Sequence, residues 1–148
     1  MEALLGKGAE VNKVCTVDTD TPLYMASLNG HVAVVEALLG KGAEVDKACT
    51  HEKLTALYNA SRHGHLTVVE ALLGKGGAEV DNASINGVTA LYIASHAGHV
   101  GVVEALLGKG ADLDKSLTVC GGGTPLQAAT RKGHRAVVEI LTRHAAGK

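Results

Sequence analysis

Apolar positions in this chain return at a fixed interval. The stretch Val34-Val35-Glu36-Ala37-Leu38-Leu39-Gly40-Lys41-Gly42 recurs over residues 68–76 and 102–110, and a weaker copy, Val137-Val138-Glu139-Ile140-Leu141, closes the series. Gly-His recurs at Gly30-His31, Gly64-His65, Gly98-His99 and Gly133-His134, at spacings of 34, 34 and 35 residues. A period of that size marks a stack of small supersecondary units. Such a stack offers a long surface rather than a catalytic pocket.

Residues 12–45 illustrate one unit. Thr21 is a good helix N-cap and Pro22 suits the first helical position. The pattern predicts a helix over residues 23–29 that stops at Gly30, where a left-handed residue is usual. A second helix is predicted over about 32–39. Val32, Val35, Leu38 and Leu39 then share one face, and Gly40-Lys41-Gly42 ends the helix. So short a connection packs the pair antiparallel. Residues 43–54 are mostly polar and lack helical periodicity, so they are expected to carry short extended pieces and project as a loop or hairpin. Neither helix is long enough to be stable alone, so each unit depends on its neighbours. The fold class that follows is all-α, built from helix-turn-helix repeats with short β-hairpin or loop fingers.

Composition narrows this picture. With three Tyr, no Phe and no Trp, the core must be built from Leu, Val, Ile and Ala. The net charge of −1 gives no general attraction to nucleic acid or anionic membranes, and no apolar run is long enough to span a bilayer. The N-terminus lacks the basic region and apolar core of a secretory signal, which makes a cytoplasmic or nuclear location the default expectation. Cys15 and Cys49 occupy equivalent positions in neighbouring units. Stacked helices lie roughly 8–10 Å apart, whereas a disulfide needs Cα atoms within about 7 Å. Together with the unpartnered Cys120, this predicts free thiols. Charge is uneven: residues 114–148 carry six Lys or Arg against two acids, +4, while the first 113 residues carry −5.

The repeated segments resemble the ankyrin-repeat family. Its Thr-Pro-Leu-His-x-Ala signature is matched by Thr21-Pro22-Leu23-Tyr24-Met25-Ala26, Thr55-Ala56-Leu57-Tyr58-Asn59-Ala60, Thr89-Ala90-Leu91-Tyr92-Ile93-Ala94 and Thr124-Pro125-Leu126-Gln127-Ala128-Ala129. Gly-His, Val-Val-x-x-Leu-Leu and Gly-Ala-Glu/Asp-Val/Leu also fall where the family has them, so the resemblance covers the whole chain. It implies one ankyrin-type solenoid: a half repeat at 1–11, repeats at 12–45, 46–80 and 81–113, and a capping repeat at 114–148. Three departures stand out. Tyr24, Tyr58, Tyr92 and Gln127 replace the signature His. The loop-start residue precedes the helix-start Thr by 9, 9, 8 and 10 positions, with Gly77 a further insertion. The chain also begins in mid-unit, which suggests a segment of a longer array with a poorly covered N-terminal end. Arg131, Lys132, Arg135, Thr142 and Arg143 polarise the last unit, as a cap should.

The resemblance implies a non-catalytic protein-binding role for the concave groove, which is lined by fingers and by one face of each first helix. Positions i, i+3 and i+4 on that face are Met25, Leu28 and Asn29; Asn59, Arg62 and His63; Ile93, His96 and Ala97; and Ala128, Arg131 and Lys132. They grade from apolar to basic. The fingers add Asp18, Asp20, Glu52, Lys53, Ile85, Asn86 and Val88. The matching partner is a protein segment, acidic or amphipathic. Arg62 and Arg131 stand out because Arg is enriched at interface hot spots.

Sharper chemistry finds little support. No Cys-x-x-Cys or His-Glu-x-x-His pattern occurs, so the eight histidines read as structural and no metal or cofactor is expected. The Glu36, Glu70, Glu104 and Glu139 column reads as the solvated back of the second helices, partly compensated by Lys41, Lys75 and Lys109. Gly121-Gly122-Gly123 is a finger tip rather than a phosphate loop. No nucleophile or acid–base pair marks an enzyme, and the basic terminal unit lacks the interleaved aromatics of a nucleic-acid surface. The alternative role is a structural, self-associating scaffold using the acidic and basic ends, with the chain a monomer or weak homodimer through its N-terminal end.

Overall fold

The computed structural model describes residues 11–13, 20–49, 51–117 and 122–147. Eight helices appear among them: α1 (Pro22–Leu28), α2 (Val32–Gly40), α3 (Ala56–His63), α4 (Leu66–Gly74), α5 (Ala90–Ala97), α6 (Val100–Gly108), α7 (Pro125–Lys132) and α8 (Arg135–Ala146). The odd-numbered helices pack side by side in one layer and the even-numbered helices in a second. Each consecutive pair forms one unit.

The starts and stops have the causes the sequence indicates. The hydroxyls of Thr21, Thr55, Thr89 and Thr124 each accept the amide three residues on, from Tyr24 (3.1 Å), Tyr58 (3.2 Å), Tyr92 (3.1 Å) and Gln127 (3.4 Å). Gln127 Oε1 also accepts from the Thr124 amide (3.0 Å), which completes a capping box. Gly64, Gly98 and Gly133 stop their helices at φ of +75°, +81° and +75°, a conformation that costs other L-residues roughly 1–2 kcal/mol. The core runs along the interface of the two layers. Val35, Leu38, Val69, Leu72, Val103 and Leu106 are fully buried, and such side chains each contribute about 1.5–3 kcal/mol.

Two kinds of bond join unit to unit, and a third closes each unit on itself. The rings of His65, His99 and His134 each bring Nε2 to a carbonyl at the end of the preceding unit's first helix: Leu28 (3.1 Å), Arg62 (3.0 Å) and His96 (3.0 Å). A carbonyl only accepts, so the ring nitrogen donates. Each ring also lies against the left-handed glycine there; a Cβ on Gly30, Gly64 or Gly98 would sit 2.7 Å from the next unit's Nδ1. Within each unit the loop-start residue ties the start of the repeat to its end: Asn12 accepts the Glu44 amide (2.8 Å), Asp46 that of Glu79 (3.1 Å) and Asp81 that of Asp112 (2.8 Å). On the convex back, Lys75 reaches back to Glu36 at 2.9 Å. There the Lys of one unit compensates the Glu of the one before.

The fingers take the loop form of the expected loop or hairpin. Among the described residues they contain no strand, only isolated antiparallel bridges at Ala83–Thr89 and Leu117–Gly123. Loops this short leave room for one pair of residues before the chain must return to a helix N-cap. In the finger over 46–54 the Cys49 amide donates to Leu54 (3.0 Å), and Lys53 takes φ +54° at the turn. Cys49 is a free, half-buried thiol. Cys15, Cys120, Asp18 and nearly all of the half repeat lie outside the described residues. Val11, at its end, packs against the core. The extra residue of the second unit is absorbed at Gly76-Gly77: the C-cap Lys75 keeps right-handed backbone (φ −65°, ψ −38°), and Gly77 supplies the positive φ (+64°) that Gly42 and Gly110 supply elsewhere.

Candidate protein-binding groove

The first-helix layer and the fingers carry the candidate surface. Arg62, His63, Arg131 and Lys132 are exposed, and Leu28, His96 and Ala97 are half-buried. Met25 is 43% exposed at the other end of the row. Asn29 is exposed but partly committed to its own helix, since its Nδ2 donates to the Met25 carbonyl at 2.8 Å.

Position i of the face is a correction. Asn59 is only 3% exposed and Ala128 1%, while Ile93 is half-buried. Helical periodicity places i, i+3 and i+4 on one side, but i lies at the seam against the preceding unit. Asn59 abuts Tyr24 of that unit. The buried Asn59 Nδ2 has no hydrogen-bond partner. Only Met25, in the first complete unit, leaves position i open. Asn59 is therefore a seam residue and not a groove residue.

Arg131 is tethered as well as exposed. Its Nη2 donates to the Tyr92 hydroxyl (3.5 Å) of the preceding unit and to the Gly122 carbonyl (3.4 Å) of its own finger. Arg62 lies beside Tyr58, so tyrosines stand under the basic residues. Burial raises the Tyr24 and Tyr58 phenols above their ordinary value; the Asn59 amide opposes this at Tyr24 and the Arg62 charge opposes it at Tyr58.

Histidines punctuate the row. His63 stacks on His65 at a ring separation of 6.0 Å, and His96 on Tyr92 at 6.4 Å. Both have lowered pKa values. Desolvation is the largest cause in each; the charges of Arg62, His65 and His99 add to it at His63, and those of Lys132, His134 and Arg131 at His96. Among the described residues no group of three or more His, Cys, Asp or Glu side chains could hold a metal ion.

In the fingers, Glu52, Lys53, Ile85 and Asn86 are exposed, while Asp20 and Val88 are half-buried. Ile85, at 60%, is the most open large apolar residue described. Two neighbouring fingers are joined, because the Ile85 amide donates to the Glu52 carbonyl at 2.9 Å. Ser84 Oγ accepts the Asn86 (3.3 Å) and Val88 (3.1 Å) amides and sets the tip. The sequence pattern shows Tyr recurring at positions 24, 58 and 92 but not what this tyrosine row touches, and it carries no signal for the finger link.

With this geometry in place the sequence comparison is decisive. A model of the ankyrin-repeat family matches residues 1–84 and again 76–148. The chain belongs to the ankyrin-repeat family. Ankyrin repeats are generally protein–protein interaction modules and typically non-catalytic. No curated protein matches the chain. No described helix of this ankyrin-repeat domain is long and apolar enough to cross a membrane.

Proposed function

We propose that this ankyrin-repeat domain binds a protein segment along its first-helix face and fingers, without catalysis. The segment is extended or helical, apolar where it meets Met25 and Leu28, and acidic where it meets Arg62, Arg131 and Lys132. The observation that carries this reading is the graded row itself. Met25 is open at one end, and Arg131 and Lys132 are exposed at the other. Units bonded to one another hold the row in place, so little ordering entropy is lost on binding. Arg131, already braced by Tyr92 and Gly122, is preorganised for a carboxylate. Ile85 and Lys53 extend the surface over the finger tips.

Selection from a displayed library of acidic and neutral peptides tests this. Binders enriched in acidic residues, weakened by added salt and lost with Arg62→Ala plus Lys132→Ala, are the expected result. Peptides that bind the double variant as well as the original would place recognition elsewhere.

A further inference from the structure

Two histidines of the first-helix row stand apart from the ladder that joins the units. The rings of His65, His99 and His134 are each tied to a carbonyl of the preceding unit. His63 and His96 have no hydrogen bond to a ring nitrogen among the described residues. His63 is exposed and His96 half-buried. They stack on His65 and on Tyr92. Stacking occupies the ring faces and leaves the nitrogens at the edges for a proton or a partner.

Their places in the row give those protons a consequence. Arg62, His96 and Arg131 hold the same position in three successive units, and Leu28 holds it one unit earlier. His96 therefore stands between two permanent cations. A neutral ring interrupts that run, and a protonated ring makes it continuous. His63 adjoins Arg62 in the same way that Lys132 adjoins Arg131.

The charged surroundings are of one sign. α1 ends near His63 in Leu28 and Asn29, which carry no charge. Arg62 on α3, His65 at the start of α4 and His99 at the start of α6 act on His63; Lys132 on α7, His134 at the start of α8 and Arg131 on α7 act on His96. Partial burial first, and then these neighbours, hold both rings below the ordinary imidazole value. No carboxylate acts on either ring, and Arg62, Arg131 and Lys132 have no acidic ion-pair partner among the described residues. Within the described chain nothing supplies the anion that would hold these protons.

We infer that an acidic segment in the groove binds His63 and His96 in their protonated forms, so that association takes up protons and tightens as pH falls; this rests on the groove reading proposed above. Each imidazole gains one proton from solvent and donates it in a hydrogen bond to a carboxylate of the segment, which stays ionised. Spacing specifies the segment further. Packed helices lie about 8–10 Å apart, and a polyproline-type extended chain returns to the same face every third residue, after about 9 Å. Acids three residues apart therefore meet Arg62, His96 and Arg131 in turn, and an apolar residue three further on meets Leu28. His63 shares the acid that Arg62 binds.

Fluorescence anisotropy with a labelled Leu-x-x-Glu-x-x-Glu-x-x-Glu peptide tests this, with Pro and Ser at the x positions. The reversed sequence and a version with Gln for Glu are run beside it. Ionic strength is held constant between about pH 7.5 and about pH 5.5, where Glu stays ionised. Affinity for the Glu peptide, in one chain direction or the other, is expected to rise on acidification. The gain is up to about tenfold for each histidine whose pKa binding raises by one unit. The Gln peptide is expected to bind more weakly and with no pH dependence. His63→Gln plus His96→Gln should abolish the rise. His96→Arg should bind tightly already at the upper pH, and it serves alone if far-UV circular dichroism shows that the double variant is disturbed. A Glu peptide that binds, is lost with Arg62→Ala plus Lys132→Ala, and keeps one affinity across the range would leave the groove reading standing and overturn the proton coupling. A rise that persists in the double Gln variant would overturn it as well. So would a Glu peptide that fails to bind at either pH, and the library selection described above then decides the groove reading by itself.

Discussion

Replacing Gly64 with alanine separates two effects that coincide at each unit junction. Gly64 sits at φ +75°, and an added Cβ would lie 2.7 Å from His99 Nδ1. The left-handed conformation costs an alanine about 1–2 kcal/mol. The ring must also move, which breaks its 3.0 Å bond to the Arg62 carbonyl, worth about 0.5–1.5 kcal/mol. The expected loss is therefore about 2–3 kcal/mol. Gly133→Ala is the matched control: φ is again +75°, but nothing lies within 4 Å, so only the backbone term of about 1–2 kcal/mol applies. Thermal unfolding followed by circular dichroism should place Gly64→Ala below Gly133→Ala by about 2–4 °C, the shift that about 1 kcal/mol produces in a chain of this size. Equal losses in the two variants would show that the histidine bonds add nothing to the junctions.

Other outcomes follow from the same structure. Ser27, Ser61 and Ser95 are fully buried with hydroxyls that lack a partner, so changing all three to Ala should raise the melting temperature, because unsatisfied buried polar groups are costly; a fall would refute this. Lys75→Ala should change stability by less than about 1 kcal/mol, because the Lys75–Glu36 pair is exposed at 66% and 45% and such pairs are weak; a larger loss in urea titration would contradict that. Leu72→Ala, at a fully buried central position, should cost about 2–5 kcal/mol by the same titration. His63 and His96 have depressed folded pKa values, so the unfolded chain binds more protons there and stability rises with pH across that window. Their contribution is present above the ordinary value of 6.5 and is lost as pH falls through that value toward the folded ones; His63→Gln plus His96→Gln should flatten the dependence.

The helices were legible because their signals are local and repeated. A Thr that caps, a Gly that turns left-handed and a Val-Val-x-x-Leu-Leu face recur with little change, and each acts within a few residues of itself. The seam was not legible. Asn59 and Arg62 share a helix face, and only the position of the preceding unit buries one and leaves the other in solvent. The histidine ladder was half legible, since Gly-His was evident as framework but its acceptors lie 37 or 38 residues back. Ranking Arg131 beside Arg62 missed a difference of the same kind, because only Arg131 reaches a neighbouring tyrosine. In the fingers the polar residues marked a loop or hairpin but not how few of them pair.

The ladder also fixes how the molecule would yield to tension. Each histidine holds only the unit before it, so a pull applied at the two termini loads the junctions in series rather than in parallel. The weakest rung opens alone, and the slack it releases relieves the others. One unit of 34 residues lengthens on release by up to about 110 Å of contour. A force–extension trace should therefore show a sawtooth, with teeth as regular as the repeat that produces them.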